Sequence, residues 1–253
     1  MNKLTSSRPI LVAHRGYSGR YPENTLLAYQ AAYEHGARYM ELDLQMTHDL
    51  VPVLHHDISL LRMAGIDLDV RDISIERLQS FKASYSERFA DEFTGNTFST
   101  LREFLQWLKQ DSQVITFIEI KQESIDRFGL EVFVDQVHDQ INDIQVASQC
   151  VIISFNNMVV EYSRKLSPIR TGWVLPKWND ENQRVLERLK PDFLFCDRNF
   201  LPDEDENIWR GSWQWAIYNL DDVSSAIEMA NRDIPFLETN QIGTLLSDKQ
   251  LAG

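Results

Sequence analysis

The chain has 253 residues, of which 43% are hydrophobic and 25% are charged, and its formal net charge is −13. This composition is ordinary for a globular protein with an apolar core, and the length suits either one large domain or two small ones. The negative charge argues against a surface for nucleic acid or for an anionic membrane, because either would need a basic patch. A small anionic substrate remains compatible with it, since a divalent cation and one or two basic side chains can reverse the potential locally.

The predicted cellular location rests on two kinds of segment that are not found in the sequence, a membrane-spanning segment and a secretory signal. No apolar run approaches the ~18 residues that are needed to span a bilayer. The first residues, MNKLTSSRPILVAHRG, contain no apolar segment followed by a small-residue cleavage site, so no secretory signal is predicted. The two cysteines, Cys150 and Cys196, fall in predicted buried strands and are expected to be reduced thiols. We therefore expect a soluble cytoplasmic protein without stable membrane insertion; the sequence does not indicate its oligomeric state.

Short β-rich runs alternate with longer amphipathic runs along the chain, a pattern typical of βα units. Asn24 is the predicted N-cap of the first helix, and Gly36 is predicted to end it. Eight alternating strands favour a closed parallel (β/α)8 barrel, the TIM fold, over an open sheet. The predicted strands are Pro9–His14, Tyr39–Leu44, Val114–Ile120, Cys150–Ser154, Arg170–Val174, Phe193–Cys196, Trp213–Tyr218 and Pro235–Glu238. The predicted helices are Thr25–His35, Leu101–Lys109, Asp126–Asn142, Asn156–Leu166, Glu181–Leu189 and Asp221–Asn231.

One stretch interrupts the alternation after the second strand. A short apolar run at Val51–Leu54 is followed by irregular sequence that continues almost to the helix predicted from Leu101. We interpret residues 58–97 as a small insertion that packs over one mouth of the barrel, although a plain long connection fits the pattern equally well. The whole chain, residues 1–253, is then predicted to form a single barrel domain.

Carboxylates occur at the ends of two predicted strands, which is where barrels of this class place functional side chains. Glu41 and Asp43 are two residues apart and therefore face the same side of a strand, and Glu119 and Lys121 repeat this arrangement. Inward-facing carboxylates repel one another unless a cation lies among them, and hard oxygen ligands favour Mg²⁺ or Ca²⁺. Glu41, Asp43 and Glu119 are thus candidate metal ligands. The alternative is a set of buried salt bridges, such as Glu119 with Lys121 or Glu41 with Arg15.

Two histidines near these carboxylates are candidates for proton transfer. His14 closes the first predicted strand, and His56 follows the short run after the second; an imidazole titrates near neutral pH. His55 is adjacent to His56, so only one of the two can face a site from an extended segment. Arg15 can bind two phosphate oxygens at once and Lys121 supplies a point charge, so the set suits cleavage of a phosphate ester. The other histidines are expected to face solvent, namely His35, His48 and His138.

Taken in order, these residues resemble the glycerophosphodiester phosphodiesterase family. Residues 13–62 contain the family's H-R-G, P-E-N-T, E-x-D and late H-D elements in the expected order. The resemblance continues through FSTLREFL and through FIEIK at 117–121, and it is weaker in the second half, where it rests on ISF at 152–154 and on WAIYN. Leu50 stands at a turn position that is usually glycine. ETN at 238–240 replaces a common T-D-R-P, so the resemblance does not support a role for that loop.

The resemblance implies a TIM barrel that uses one divalent metal ion, Mg²⁺ or Ca²⁺. It implies hydrolysis of glycerophosphodiesters, such as glycerophosphocholine or glycerophosphoethanolamine, to sn-glycerol 3-phosphate and an alcohol. Glu23 and Asn24 lie in the P-E-N-T turn, where a loop brace and a helix cap are at least as consistent as a direct role. The implied roles are metal ligands for Glu41, Asp43 and Glu119, general acid and base for His14 and His56, and phosphate binding for Arg15 and Lys121.

Three other functions are alternatives to this one. A lysophospholipase D would need an apolar groove beside the same site, for which the candidate aromatic residues are Phe89, Phe93, Phe98, Trp173 and Trp215. A metal-dependent amidohydrolase is disfavoured because it would bind metal through His-x-His on one strand. A non-catalytic barrel that binds phosphodiesters would be indicated by the loss of a histidine or of a carboxylate ligand, and none is lost.

Overall fold

The strands form one sheet that closes into a barrel. In the computed structural model, which describes residues 8–251, the first strand pairs in parallel with both the second and the last, and this closes the ring. A short additional strand, β3, runs antiparallel to β2 outside the ring of eight parallel strands. The strands are β1 (Ile10–His14), β2 (Tyr39–Met46), β3 (Pro52–Leu54), β4 (Ile115–Ile120), β5 (Cys150–Ser154), β6 (Arg170–Val174), β7 (Phe193–Asp197), β8 (Gln214–Tyr218) and β9 (Phe236–Thr239). The predicted TIM fold is therefore confirmed, and each predicted barrel strand lies within two residues of the observed one.

Helices connect most of the strands. They are α1 (Leu26–Glu34), α2 (Leu61–Ala64), α3 (Ile75–Gln79), α4 (Ser86–Phe89), α5 (Leu101–Leu108), α6 (Gln122–Phe128), α7 (Leu130–Ile144), α8 (Asn157–Leu166), α9 (Asp180–Leu189), α10 (Val223–Asn231) and α11 (Ile242–Ser247). Short 3-10 helices occur at Val70–Asp72, Ala147–Gln149, Arg198–Phe200 and Asp205–Asn207. Among residues 8–251, no helix has the length and apolar character that crossing a bilayer requires. The predicted domain extends at both ends to residues 1–7 and 252–253, which lie outside the described residues.

Two helix predictions were wrong in detail. The helix predicted over Asp126–Asn142 is two helices, α6 and α7, because Gly129 adopts a φ of +93° between them and interrupts the helical path. His138, predicted to face solvent, is buried on α7. It shares the face of Val134 and Ile141, which packs against the barrel at helical spacing.

The insertion after the second strand forms a compact unit rather than irregular chain. Helices α2 and α3 and one 3-10 helix enclose a separate apolar cluster over β3, and α4 is the third short helix of the insertion. The two ends of the insertion meet, since the N–H of Leu54 donates to the carbonyl of Ser99 at 2.9 Å and Val53 pairs with Thr100. The buried members of the cluster are Val53, Leu60, Met63, Val70, Leu78, Ala83 and Phe98.

The interior of the barrel is apolar at one end and acidic at the other. Alternate residues of each strand point inward, so the inward row of β4 runs from Phe117 to Glu119 and that of β9 from Phe236 to Glu238. The apolar end is packed by aromatic rings around Phe117, whose ring centroid lies 5.0 Å from those of Phe193 and Phe195. The same alternation therefore carries polar side chains to the carboxyl ends of the strands.

Replacing Phe117 with Ala should lower the free energy of unfolding by about 3–5 kcal/mol, because the fully buried ring would leave a cavity at the centre of the barrel. Urea denaturation measures this change. Phe200→Ala is the matched control, since Phe200 is 39% exposed and its loss should cost less than about 1 kcal/mol. Equal losses in the two variants would contradict the packing described here.

Candidate active site

Four carboxylates converge at the carboxyl ends of neighbouring strands. Glu41 and Asp43 extend from β2, Glu119 from β4 and Glu238 from β9, and all four are buried. They lie in or beside a cavity of about 170 Å³, which is also lined by the predicted residues His14, Arg15, His56 and Lys121. The structure thus brings together all seven residues that the sequence singled out, together with Glu238, to which sequence reasoning assigned no role.

Two of the carboxylates are neutralised by basic side chains. Asp43 lies 2.8 Å from Nε of Arg15 and 3.3 Å from Nζ of Lys121, while Glu119 lies 2.8 Å from the same Nζ. Burial alone would raise the pKa of Asp43, but Arg15 and Lys121 hold it well below its ordinary value. The ion pair between Glu119 and Lys121, which the sequence offered as an alternative to a metal site, is therefore present. It lies within the same cluster as the proposed metal ligands.

The other two carboxylates are less well compensated. Oε1 of Glu41 and Oε2 of Glu238 are buried without a hydrogen-bond partner among residues 8–251. Burial and the neighbouring carboxylates raise the pKa of Glu41 well above its ordinary value. Burial, followed by the charge of Glu119, raises the pKa of Glu238 to about 8. Buried, converging and unpartnered carboxylate oxygens are the donor set that a hard divalent cation accepts, so these residues fit a metal ion.

Close packing of the first strand's end against helix α1 positions Arg15. Arg15 adopts a φ of +56°, and its N–H donates to Glu41 at Oε2 (3.2 Å) and at the carbonyl oxygen (3.1 Å). Gly16 follows with a φ of +80°, and a Cβ there would lie 2.7 Å from the backbone of Ala28. The H-R-G sequence therefore forms a tight turn that only glycine can complete, and the turn aims the guanidinium at Asp43.

The P-E-N-T turn braces the cluster. The predicted cap at Asn24 was wrong: Thr25 caps α1, its Oγ1 accepting from the N–H of Ala28. Asn24 has a φ of +54°; its Nδ2 donates to Oδ2 of Asp43 at 2.9 Å, and its Oδ1 accepts from the hydroxyl of Tyr29 at 2.8 Å. The asparagine therefore orients a carboxylate rather than a helix end.

His56 belongs to a chain of charged side chains that joins the insertion to the barrel. Its Nδ1 donates to Oδ1 of Asp57 at 2.6 Å, and Oδ2 of Asp57 accepts from Nε of Arg62 at 2.7 Å. Arg62 also binds both carboxylate oxygens of Glu23, at 2.8 and 2.9 Å. Glu23 accepts in turn from Arg15 at 2.9 Å. The orientation of His56 is thus fixed by residues from three segments, while its neighbour His55 is buried and directs its Nε2 to the carbonyl of Ser59.

His14 is held by the loop that the resemblance left without a role. Its Nδ1 lies 2.9 Å from Oδ1 of Asn240, which also accepts from the hydroxyl of Ser18 at 2.7 Å. Nδ2 of Asn240 donates to Asp221, so the amide orientation is fixed and Nδ1 of His14 carries the proton. Burial, reinforced by the charge of Arg15, lowers the pKa of His14 to about 4. The loop at 238–240 therefore shapes the site through Asn240 and Glu238.

The remaining wall of the cavity is apolar. It is formed by β5 to β8 and includes Ile153, Phe155, Val174, Phe195 and Tyr218. The aromatic groove considered for a lysolipid is not formed by the residues proposed for it. Phe98, Trp173 and Trp215 are buried. Phe89 and Phe93 make an edge-to-face contact with each other and do not line this cavity.

Comparison with known proteins identifies the family. The model of the glycerophosphoryl diester phosphodiesterase family matches residues 14–196, which include His14, His56 and the three predicted metal ligands. The chain belongs to this family. A glycerophosphodiester phosphodiesterase of Bacillus altitudinis is 35% identical over 159 residues, which are 62% of each chain. One from Caldanaerobacter subterraneus is 30% identical over 161 residues, or 64% of each chain, so the match spans less than two thirds of these family members.

Solved structures of other family members share the fold over nearly the whole chain. A phosphodiesterase from Oleispira antarctica, solved in complex with the product sn-glycerol-3-phosphate, superposes with a TM-score of 0.83 at 22% identity and covers 95% of this chain and 96% of its own. A putative glycerophosphoryl diester phosphodiesterase from Silicibacter pomeroyi gives a TM-score of 0.84 at 18% identity, with 97% and 95% coverage. At these identities the likeness establishes the barrel fold.

Replacing Arg62 with Met should lower the free energy of unfolding by about 1–3 kcal/mol, because Glu23 and Asp57 would lose a partly buried partner. Urea denaturation measures the loss. Arg102→Met is the control, since its pair with Asp143 is largely exposed and should contribute less than about 1 kcal/mol. A smaller loss for Arg62→Met than for the control would show that the chain of charges does not stabilise the fold.

Proposed function

We propose that this protein hydrolyses glycerophosphodiesters to sn-glycerol 3-phosphate and an alcohol with the help of one divalent metal ion, Mg²⁺ or Ca²⁺. The observation that carries the proposal is the convergence of His14 and His56 with Arg15, Lys121 and the buried carboxylates on one cavity. Family membership supports the same reaction, as does the glycerol 3-phosphate bound in the Oleispira antarctica phosphodiesterase.

Glu41, Asp43 and Glu119 would hold the metal ion, which supplies, when bound, positive charge that stabilises the negative charge developing on the phosphoryl oxygens. Arg15 and Lys121 are the basic side chains closest to these carboxylates and would bind the phosphate. Since both are already paired with carboxylates, their positions are fixed before substrate arrives, which reduces the reorganisation needed for catalysis.

The hydrogen bonds of the two histidines suit opposite roles. His14 donates from Nδ1 to Asn240, which leaves the lone pair of Nε2 free to accept a proton from the attacking hydroxyl. His56 donates from Nδ1 to the carboxylate of Asp57, an anionic acceptor that His14 lacks, and this contact orients the ring for the proposed donation to the leaving alkoxide. We therefore assign His14 as the base and His56 as the acid.

Removal of metal should abolish hydrolysis of glycerophosphocholine, and added Mg²⁺ or Ca²⁺ should restore it, because three buried carboxylates form the proposed ligand set. Release of sn-glycerol 3-phosphate after EDTA treatment and dialysis measures this. Asp43→Asn, which replaces a ligand by an isosteric amide, should remain inactive after the same metal is restored. Full activity of the wild-type protein in excess EDTA would contradict the metal requirement.

Replacing either His14 or His56 with Ala should lower the rate on natural diesters on the order of 10²–10⁴-fold, the usual contribution of a positioned acid or base. The leaving group separates the two roles, because p-nitrophenolate departs without needing a proton. His56→Ala should therefore recover much of its rate on a p-nitrophenyl ester of glycerol phosphate, and His14→Ala should not.

His55→Ala is the control for the two histidine variants, because His55 is buried and does not line the cavity. This substitution should lower the stability of the protein without changing how the rate depends on the leaving group. Rescue of His14→Ala instead of His56→Ala would exchange the two roles. Near-normal rates of both variants on natural diesters would refute the acid and base assignments.

A lysophospholipase D activity is the second candidate, and one feature favours it. Phe155 lines the cavity and is 42% exposed, and Met158, three residues later in α8, is 61% exposed. Exposed apolar side chains of this kind would suit an acyl chain that the cavity itself is too small to enclose. Hydrolysis rates on lysophosphatidylcholine and on glycerophosphocholine, compared in the same protein, decide between the two substrates.

A further inference from the structure

Glu238 is the one charged residue of strand β9, whose other residues are Phe236, Leu237 and Thr239. It points into the barrel from β9 and is 3% exposed. Its Oε1 lies 3.4 Å from Nε2 of His14, and its Oε2 has no hydrogen-bond partner among residues 8–251. A buried carboxylate oxygen without a donor is costly unless a ligand satisfies it, so the structure calls for a positively charged group at this point.

The ligand atoms near Glu238 form two overlapping groups. Glu41, Asp43 and Glu119 form the first, and His14, Glu41 and Glu238 form the second; within each group the atoms lie within 4.8 Å of one another. Glu41 belongs to both, and among residues 8–251 its Oε1 is the other buried carboxylate oxygen without a hydrogen-bond partner. Arg15 and Lys121 compensate the first group through Asp43 and Glu119. In the second group, the unprotonated Nε2 of His14 lies 3.8 Å from Glu41 and 3.4 Å from Glu238, and it supplies no compensating charge.

We propose that His14, Glu41 and Glu238 form a second divalent-cation subsite, with Glu41 shared between the two ions. A carboxylate shared by two ions about 3.5–4 Å apart is the usual arrangement of two-metal sites. The nitrogen ligand distinguishes this subsite from the first, because imidazole suits Zn²⁺ whereas oxygen ligands suit Mg²⁺, Ca²⁺ and Mn²⁺. The two glutamates allow Mn²⁺ to serve as a spectroscopic probe of the subsite.

The surroundings of His14 already suit a ligand. A metal-binding histidine normally donates its second ring N–H to an oxygen acceptor, which fixes the tautomer and directs the other nitrogen at the ion. Asn240 provides that acceptor at 2.9 Å and is itself held by Ser18 and Asp221. Nε2 is therefore directed at the two glutamates.

Occupation of this subsite regulates the reaction, an inference that rests on the proposed function. An ion bound at Nε2 of His14 takes the lone pair that proton transfer requires, so the second ion inhibits. Zn²⁺ in excess of one equivalent should reduce hydrolysis, whereas the same excess of Mg²⁺ should not, because it leaves the imidazole free.

Binding is tested first, without substrate. EDTA-treated and dialysed protein is titrated with Mn²⁺ by isothermal calorimetry, and the bound ions are examined by electron paramagnetic resonance. Wild-type protein should bind two ions with a spin-coupled spectrum, and Glu238→Gln should bind one ion with an uncoupled spectrum. Glu87→Gln, which changes an exposed glutamate on α4, should bind two. One ion in the wild-type protein, or two in Glu238→Gln, would overturn the proposal.

The inhibitory consequence is measured on glycerophosphocholine at saturating Mg²⁺. Relative to the maximal rate of each variant, the Zn²⁺ concentration that halves activity should be at least about tenfold higher for Glu238→Gln than for wild type or Glu87→Gln. Equal Zn²⁺ sensitivity of all three would refute regulation through this subsite. If no variant hydrolyses the substrate at any metal concentration, the proposed function fails, while the binding stoichiometry still decides whether the second subsite exists.

Thermal melting of Glu238→Gln confirms that this variant is folded. Anomalous scattering from Zn²⁺-soaked wild-type crystals provides an independent test of the subsite. Anomalous density beside His14 supports the subsite, and its absence refutes it.

Discussion

Negative charge buried at one end of the barrel is the constraint on which this structure depends. Four carboxylates lie where low polarity makes an uncompensated charge costly. Arg15 and Lys121 neutralise part of this charge. Arg15 is positioned to do so by the tight turn at Gly16, where the backbone of Gly16 lies against that of Ala28 in α1. Compensation is incomplete at Glu41 and Glu238. The site is therefore built around a positive charge that the protein chain does not supply in full.

The compensation extends beyond the barrel through Arg62. This residue comes from the insertion and contacts Asp57 on one side and Glu23 on the other, which in turn contact His56 and Arg15. The insertion thus contributes to the electrostatics of the site. A change in the position of α2 would alter the orientation of His56 and the compensation of Asp43 together, since both are linked through the same guanidinium.

The sequence predicted the barrel well because its signal is local and repeated. Each barrel strand is a short β-rich run, and the inward pairs Glu41–Asp43 and Glu119–Lys121 follow directly from the two-residue period of a strand. The burial of His138 also follows from helical periodicity, because it shares a face of α7 with Val134 and Ile141.

Other features depend on contacts between residues distant in sequence, and these could not be predicted from a local pattern. Asn24 and Thr25 are both acceptable caps, and the choice between them is made by Asp43, which accepts a hydrogen bond from Asn24. Glu238 lies in an apolar run, and only closure of the barrel brings β9 beside β1 and His14. The one signal in the sequence is its spacing. Glu238 lies two residues after Phe236 and therefore faces the same, inward side of the strand. The short helices of the insertion are each too brief for a periodic pattern to identify.

The way in which the insertion closes on itself has a consequence for the evolution of such barrels. Leu54 and Ser99 are hydrogen-bonded neighbours although 45 positions separate them, so the chain leaves the barrel and re-enters it at nearly the same point. A segment with adjacent ends can be lengthened, shortened or replaced without altering the distance between the strands that flank it, and loop-closure entropy changes only slowly with such differences in length. The segment can therefore diverge as a replaceable module, provided that each replacement restores a cation between Glu23 and Asp57. Such replacement leaves the strands that carry the buried carboxylates, β2, β4 and β9, unchanged.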